Sequence, residues 1–128
     1  MPKRCQITRC PLAPQAEVPY AGNKEAKLVF IGESPGEQEE RRGTPFSGES
    51  GDLLRKNAGL AGIEIRDALL MNASRCRIRK DQMSGKDITK TLACCRTYIE
   101  GGLGLLKPKL IVLLGDFAMR QILRRSEE

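Results

Sequence analysis

Three short apolar runs alternate with amphipathic stretches, and this order constrains the fold more than any other feature. The runs are Leu28-Val29-Phe30-Ile31 before Gly32, Ala68-Leu69-Leu70-Met71 before Asn72, and Leu110-Ile111-Val112-Leu113-Leu114 before Gly115. Continuous apolar runs of this length fit strands buried on both faces, as in parallel sheets. Between the first two runs, Ser50 can cap a helix reaching about Asn57, with Leu53, Leu54 and Ala58 facing inward and Gly59 or Gly62 ending it. Between the second and third, Ile88, Leu92, Cys95, Ile99, Leu103 and Leu106 recur at spacings of three and four, which predicts an amphipathic helix. Gly101, Gly102 and Gly104 weaken its second half, and Pro108 stops it. Residues 116–125 read as a final short helix, and residues 33–47 and 75–85 as polar loops.

This alternation predicts an α/β fold: a three-layer αβα domain on a short parallel sheet of about three strands, joined by right-handed crossovers. The 128 residues suit one domain. Residues 1–23, with Pro2, Pro11, Pro14 and Pro19, form an irregular N-terminal arm that carries Cys5 and Cys10. In open parallel sheets, ligands bind beyond the carboxyl ends of the strands. That rule points to residues 33–47, 72–75 and 115–116.

Composition narrows the chemistry. The chain has no His, which excludes a Ser-His-Asp triad, a Cys-His pair and any His-ligated metal within these residues. A general base must then be a carboxylate or an activated water. Lys and Arg outnumber Asp and Glu by 22 to 16, a net charge of +6 that suits a polyanionic partner such as nucleic acid. Aromatics are only 4%, so base stacking has few rings to draw on. No long apolar run or signal-peptide pattern is present, so a soluble, cytoplasmic chain with no membrane partner is expected. Five Cys in such a chain point to metal or cluster ligation rather than disulfides. Four thiolates from separated segments can hold either an iron–sulfur cluster or a zinc ion, and the residues alone do not separate the two.

The segment from Gly32 to Gly48 reads Gly-Glu-Ser-Pro-Gly-Glu-Gln-Glu-Glu-Arg-Arg-Gly-Thr-Pro-Phe-Ser-Gly. It is neither a Walker A loop nor a dinucleotide fingerprint. Taken on composition alone it is a charged surface loop, with Phe46 as a lone flat platform. Its full pattern resembles the first motif of the family 4 uracil-DNA glycosylases, iron–sulfur enzymes of base-excision repair. Asn72-Ala73-Ser74-Arg75-Cys76-Arg77 is similar to that family's segment after the second strand. Cys95-Arg96-Thr97-Tyr98-Ile99, with Lys107 to Gly115, is similar to its cluster cysteine, helix and third strand. The resemblance spans about residues 5–120.

What the resemblance implies is specific. Phe46 stacks on an extruded uracil, and Asn72 bonds the Watson–Crick edge of that base, one donor and one acceptor selecting uracil over cytosine. Ser34 lines the base pocket, and Glu33 and Glu39 are the candidate catalytic carboxylates that help place a water. Cys5, Cys10, Cys76 and Cys95 hold a 4Fe–4S cluster, zinc being the alternative. Cys94 competes with Cys95, whose place thirteen residues before Pro108 suits the family. Four residues separate Cys5 from Cys10 where the family usually has two, which makes Cys5 the weakest match. The cations around Cys76, namely Arg75, Arg77, Arg79 and Lys80 with Lys86 and Lys90 beyond, are candidates for a single- or double-stranded DNA backbone.

Family members continue into a fourth strand and a His-Pro-Ser motif, whereas this sequence ends at Glu128 without one. The expectation is a shortened member that binds DNA, at uracil, with weak or no excision. The alternative is an active minimal glycosylase. A missing fourth strand also leaves a sheet edge open, inviting a homodimer.

Overall fold

The structure is a computed structural model and describes residues 10–12 and 17–124. Cys5 and most of the N-terminal arm lie outside the described residues. Four strands form one sheet: β1 (Ala21–Gly22), β2 (Leu28–Gly32), β3 (Leu69–Asn72) and β4 (Leu110–Leu113), in the spatial order β1-β3-β2-β4. β2 is central and runs parallel to both β3 and β4, pairing Phe30 with Leu70 on one side and with Val112 on the other. The three sequence-predicted strands are therefore the parallel core. The addition is β1, two residues paired antiparallel to β3, too short and too weakly apolar to read from sequence.

Strand alternation divides the core. Val29, Ile31, Leu69 and Met71 face one side and pack with Ile99 and Ala118. Phe30 and Leu70 face the other and pack with Phe46, Ala58 and Ile65. The first side is covered by α3 (Gly85–Leu106) and α4 (Asp116–Leu123), the second by α2 (Glu49–Leu60) and a 3-10 turn at Ile65–Asp67. This is the expected αβα arrangement.

Several local expectations change. The long loop after β2 contains a six-residue helix, α1 (Glu37–Arg42), with acidic residues in its first turn, Arg41 and Arg42 in its last and Gly43 at φ 73 as its left-handed cap. Those charges favour the helix dipole, and with the glycine stop they were a readable signal. Helix α2 is capped by Gly48, not Ser50. Its inner stripe is Gly51, Leu54 and Ala58, so Leu53, off that stripe, is 61% exposed. Helix α3 is capped by Ser84, whose hydroxyl accepts from Asp87 N–H, and runs unbroken through its glycines. Ile99, Leu103 and Leu106 keep packing on the sheet, and that burial outweighs the low helix propensity of glycine.

Strand β4 is an edge, paired only with β2 among the described residues, and its side chains are half-buried or exposed. No helix among the described residues is long and apolar enough to cross a membrane.

Candidate functional site

A cavity of about 340 Å³ opens at the carboxyl ends of β2 and β3, lined by Gly32, Glu33, Ser34, Glu39, Phe46, Asn72 and their neighbours. Gly32 and Asn72 are register partners at the last rung of the parallel pair. A Cβ on Gly32 would lie 2.7 Å from both Asn72 Oδ1 and the Phe46 ring. Glycine at this point is what lets an aromatic ring and a carboxamide approach each other across the strand end. Among the described residues the Asn72 amide makes no hydrogen bond, so its donor and acceptor remain available to the cavity it lines.

Phe46 is held in an unusual backbone state, with φ +54, where a bulky residue is rarely found. Its carbonyl accepts a 2.6 Å hydrogen bond from Arg55 Nη1. Gly51, in the first turn of α2, lies directly against that carbonyl, with no room for a Cβ. The Phe46 ring is 8% exposed and packs with Phe30 and Leu70. It therefore plugs the second core cluster and also walls the cavity.

Both candidate carboxylates reach the cavity wall, and both also organise the backbone. Glu39 Oε1 accepts from Gly36 N–H at 2.9 Å, and its other oxygen lies 2.7 Å from where a Cβ on Gly48 would sit. Glu33 Oε2 is 2.8 Å from Lys80 Nζ, while Oε1 accepts from Asp116 N–H at the start of α4. A carboxylate there is favoured by the helix dipole and ties β2 to the element after β4. Ser34 Oγ sits 3.4 Å from Ile78 N–H, linking the cavity lip to the basic loop.

Arg75, Arg77, Arg79 and Lys80 of the candidate DNA face each have a carboxylate neighbour. Arg75 pairs with buried Glu17 and lies over the Tyr98 ring at 4.5 Å, lining a separate groove with Tyr20 and Lys24. Arg77 and Arg79 both approach Glu40 Oε1, at 3.8 and 3.9 Å, and Lys80 pairs with Glu33. Arg79 and Lys80 nonetheless keep 41% and 61% of their side chains exposed.

Cys10, Cys76, Cys94 and Cys95 are all buried. The Ser74 hydroxyl donates to the Cys76 carbonyl at 2.8 Å and lies 3.9 Å from Cys95 Sγ. Burial pushes the Cys10 thiol up, partly offset by a hydrogen bond from the Leu12 backbone, with the Cys94 thiol beside it. Thr91 faces Cys10 as well, yet among the described residues its fully buried hydroxyl makes no hydrogen bond of normal geometry. Cys10 thus meets Cys94 and Thr91 on α3, and Ser74, in the turn that carries Cys76, meets Cys95 on the same helix. Such a donor set fits a thiolate-bound cluster or metal. No three metal-binding side chains form a closed group among the described residues, and Cys5 lies outside them.

Comparison with known proteins agrees with this αβα fold. The family model described as the uracil DNA glycosylase superfamily matches residues 19–127. The chain belongs to the uracil DNA glycosylase superfamily. Among curated members it is 35% identical over 106 residues to a type-4 uracil-DNA glycosylase of Archaeoglobus fulgidus, covering 82% of this chain and 51% of that one. It is 32% identical over 119 residues to the type-4 enzyme of Thermotoga maritima, covering 91% and 59%. The type-4 enzyme of Pyrobaculum aerophilum matches at 29% over 132 residues, 98% and 65%. The chain thus spans between about half and two thirds of the length of these superfamily members.

The sequence motifs brought Glu33, Ser34, Glu39, Phe46 and Asn72 to one cavity wall. What sequence reasoning missed were supporting residues: Gly51 and Arg55 behind Phe46, Glu40 beneath the basic loop, and Gln121. The Gln121 amide is 2% exposed, donates to the Ala73 and Leu92 carbonyls at 2.8 Å each, and accepts from Arg96 Nε. No local pattern marks a polar residue on a short helix as a central tie.

Proposed function

We propose that this chain recognises uracil in DNA, and that excision by these 128 residues alone is weak or absent. The observation that carries the reading is the pairing of Phe46 and the uncommitted Asn72 amide across Gly32 at the cavity. A flat ring beside one donor and one acceptor is the chemistry that a flipped pyrimidine requires. Within these residues Glu33 and Glu39 position water or backbone, and the sequence supplies no imidazole to stabilise the departing anion. An electrostatic group in that role is worth roughly 10²–10³ in rate. Arg77, Arg79 and Lys80 meet the DNA backbone beside the cavity, and Arg75 serves the neighbouring groove.

The test combines binding and chemistry on one substrate set. Single- and double-stranded oligonucleotides with and without uracil are incubated with the protein, resolved by gel shift, and treated with alkali. Uracil-dependent binding with few breaks is expected, weakened about tenfold or more in Asn72→Ala, the size of losing a paired hydrogen-bonding edge. Efficient breaks that disappear in Phe46→Ala would instead establish an active minimal glycosylase. Equal binding to uracil-containing and uracil-free DNA would remove uracil from the reading.

We further propose that Cys10, Cys76 and Cys95, with Cys5, hold a 4Fe–4S cluster, with Cys94 as the neighbour that touches Cys10. The support is the burial of Cys10, Cys76, Cys94 and Cys95, with Thr91 beside Cys10 and Ser74 beside Cys95, and the type-4 names of the relatives. Such a cluster pins the Pro-rich arm to α3 and to the segment after β3. A brown protein with broad visible absorption is expected, with colour and iron lost in Cys76→Ala. A colourless, zinc-containing protein isolated anaerobically would assign the site to zinc. A homodimer through the β4 edge completes the proposal, and a monomer by light scattering at high concentration argues against it.

A further inference from the structure

Arg77 and Arg79 are two residues apart, on either side of buried Ile78, and both guanidiniums turn to the same atom, Glu40 Oε1. Because both guanidiniums face one carboxylate oxygen, the two cations act together. Ile78 fixes them in place through its burial and its N–H contact to Ser34 Oγ at the cavity lip. The distances, 3.8 and 3.9 Å, exceed the usual 2.7–2.9 Å or so of a charge-assisted hydrogen bond. Two positive charges therefore flank one negative charge that is too far from either for a tight pair. Among the described residues neither guanidinium donates a hydrogen bond. The Glu40 side chain is 25% exposed, so it reaches the surface between the two arginines.

We propose that Glu40 occupies, in the uncomplexed chain, the seat of a nucleic-acid backbone phosphate between Arg77 and Arg79, and is displaced when a strand binds beside the cavity. This rests on the DNA-binding reading above and adds a sign to it. A phosphodiester offers more acceptor oxygens than one carboxylate oxygen and can bridge both forks, which arginine favours. The carboxylate acts as an internal competitor. It lowers affinity for any polyanion, while the arginine pair decides where the backbone crosses the lip.

The test uses a fluorescent, uracil-free single-stranded oligonucleotide, with anisotropy measured over a salt series on the full 128-residue protein. Glu40→Gln is expected to tighten binding roughly two- to fivefold at low salt, the scale of an exposed ion pair. Glu37→Gln, on the same helix but paired with Arg41 rather than with Arg77 or Arg79, is expected to gain less. In an Arg77→Ala/Arg79→Ala protein the gain from Glu40→Gln is expected to vanish, and the slope of log K against log salt to fall by about 1.4. Melting curves of each variant confirm folding, and Glu40→Ala replaces Glu40→Gln if the latter melts early. A gain that persists without the arginines, or no gain at all, overturns the proposal while wild-type binding leaves the DNA reading intact. If neither wild type nor any variant binds DNA at low salt, both fall.

Discussion

Replacing Gly51 by Ala is expected to destabilise the domain by about 1–3 kcal/mol, the scale of overpacking a closed core. Helix propensity alone argues the opposite sign, since Ala exceeds Gly by about 1 kcal/mol in a helix interior. The reason is the backbone of Phe46. A Cβ at residue 51 would run into the Phe46 carbonyl carbon and oxygen, which cannot swing aside as a side-chain tip can. That carbonyl is already fixed by Arg55, and Phe46 already sits at φ +54. Pushing it away breaks the Arg55 bond and releases the ring from both the core and the cavity. Urea denaturation gives the stability, and binding of a uracil-containing oligonucleotide gives the site, which is expected to weaken alongside. Gly59→Ala in the same helix is the control: nothing lies within 4 Å of its Cβ, so it is expected to stabilise by up to about 1 kcal/mol. A Gly51→Ala protein as stable as wild type refutes the account of how Phe46 is held.

The Gln121→Leu protein is expected to lose about 2–4 kcal/mol, because several groups lose their partner together. The amide of Gln121 ties α4 to two other parts of the fold: the turn after β3 through Ala73, and helix α3 through both Leu92 and Arg96. Leucine fills the space but leaves the Ala73 carbonyl buried without that donor, and deprives Arg96 of its acceptor. Ala73 lies between Asn72 and the Ser74–Cys76 turn, so that turn loosens with it. Arg96→Met, which removes only the half-buried arm of the network, is expected to cost about 1 kcal/mol or less. The comparison is made by denaturant melts with unchanged slopes, so that stability rather than the denatured state is read. A Gln121→Leu protein within about 0.5 kcal/mol of wild type shows that Gln121 is not a central tie.

The strands and the wall of the cavity were legible because they are written in short patterns. A buried parallel strand needs a continuous apolar run, and each run here stands between hydrophilic segments. The cavity motif was legible because Gly32, Phe46 and Asn72 are separated by fixed intervals that the fold closes to contact distance. Helix α1 was missed although its charges and Gly43 were visible, because a six-residue helix buries no residue and shows no apolar period. Leu53 was assigned inward because it is large and apolar. The stripe that packs contains Gly51 instead, and small residues in a close contact carry no periodic signal.

What the sequence determined by itself was the layer order, the parallel core, the family and the residues of the cavity wall. All of these depend on local apolar patterning or on residue identity at fixed spacing. Only the tertiary structure decided what each charge does. The basic residues near Cys76 read as one uniform face, yet folding sends Arg75 to Glu17 and the Tyr98 ring, Arg77 and Arg79 to Glu40, and Lys80 to Glu33. Likewise Cys10 meets Cys94 and Thr91 only through the docking of the N-terminal segment on α3. Electrostatic and sulfur contacts fall off over a few ångströms, and those distances are set by elements far apart in the chain.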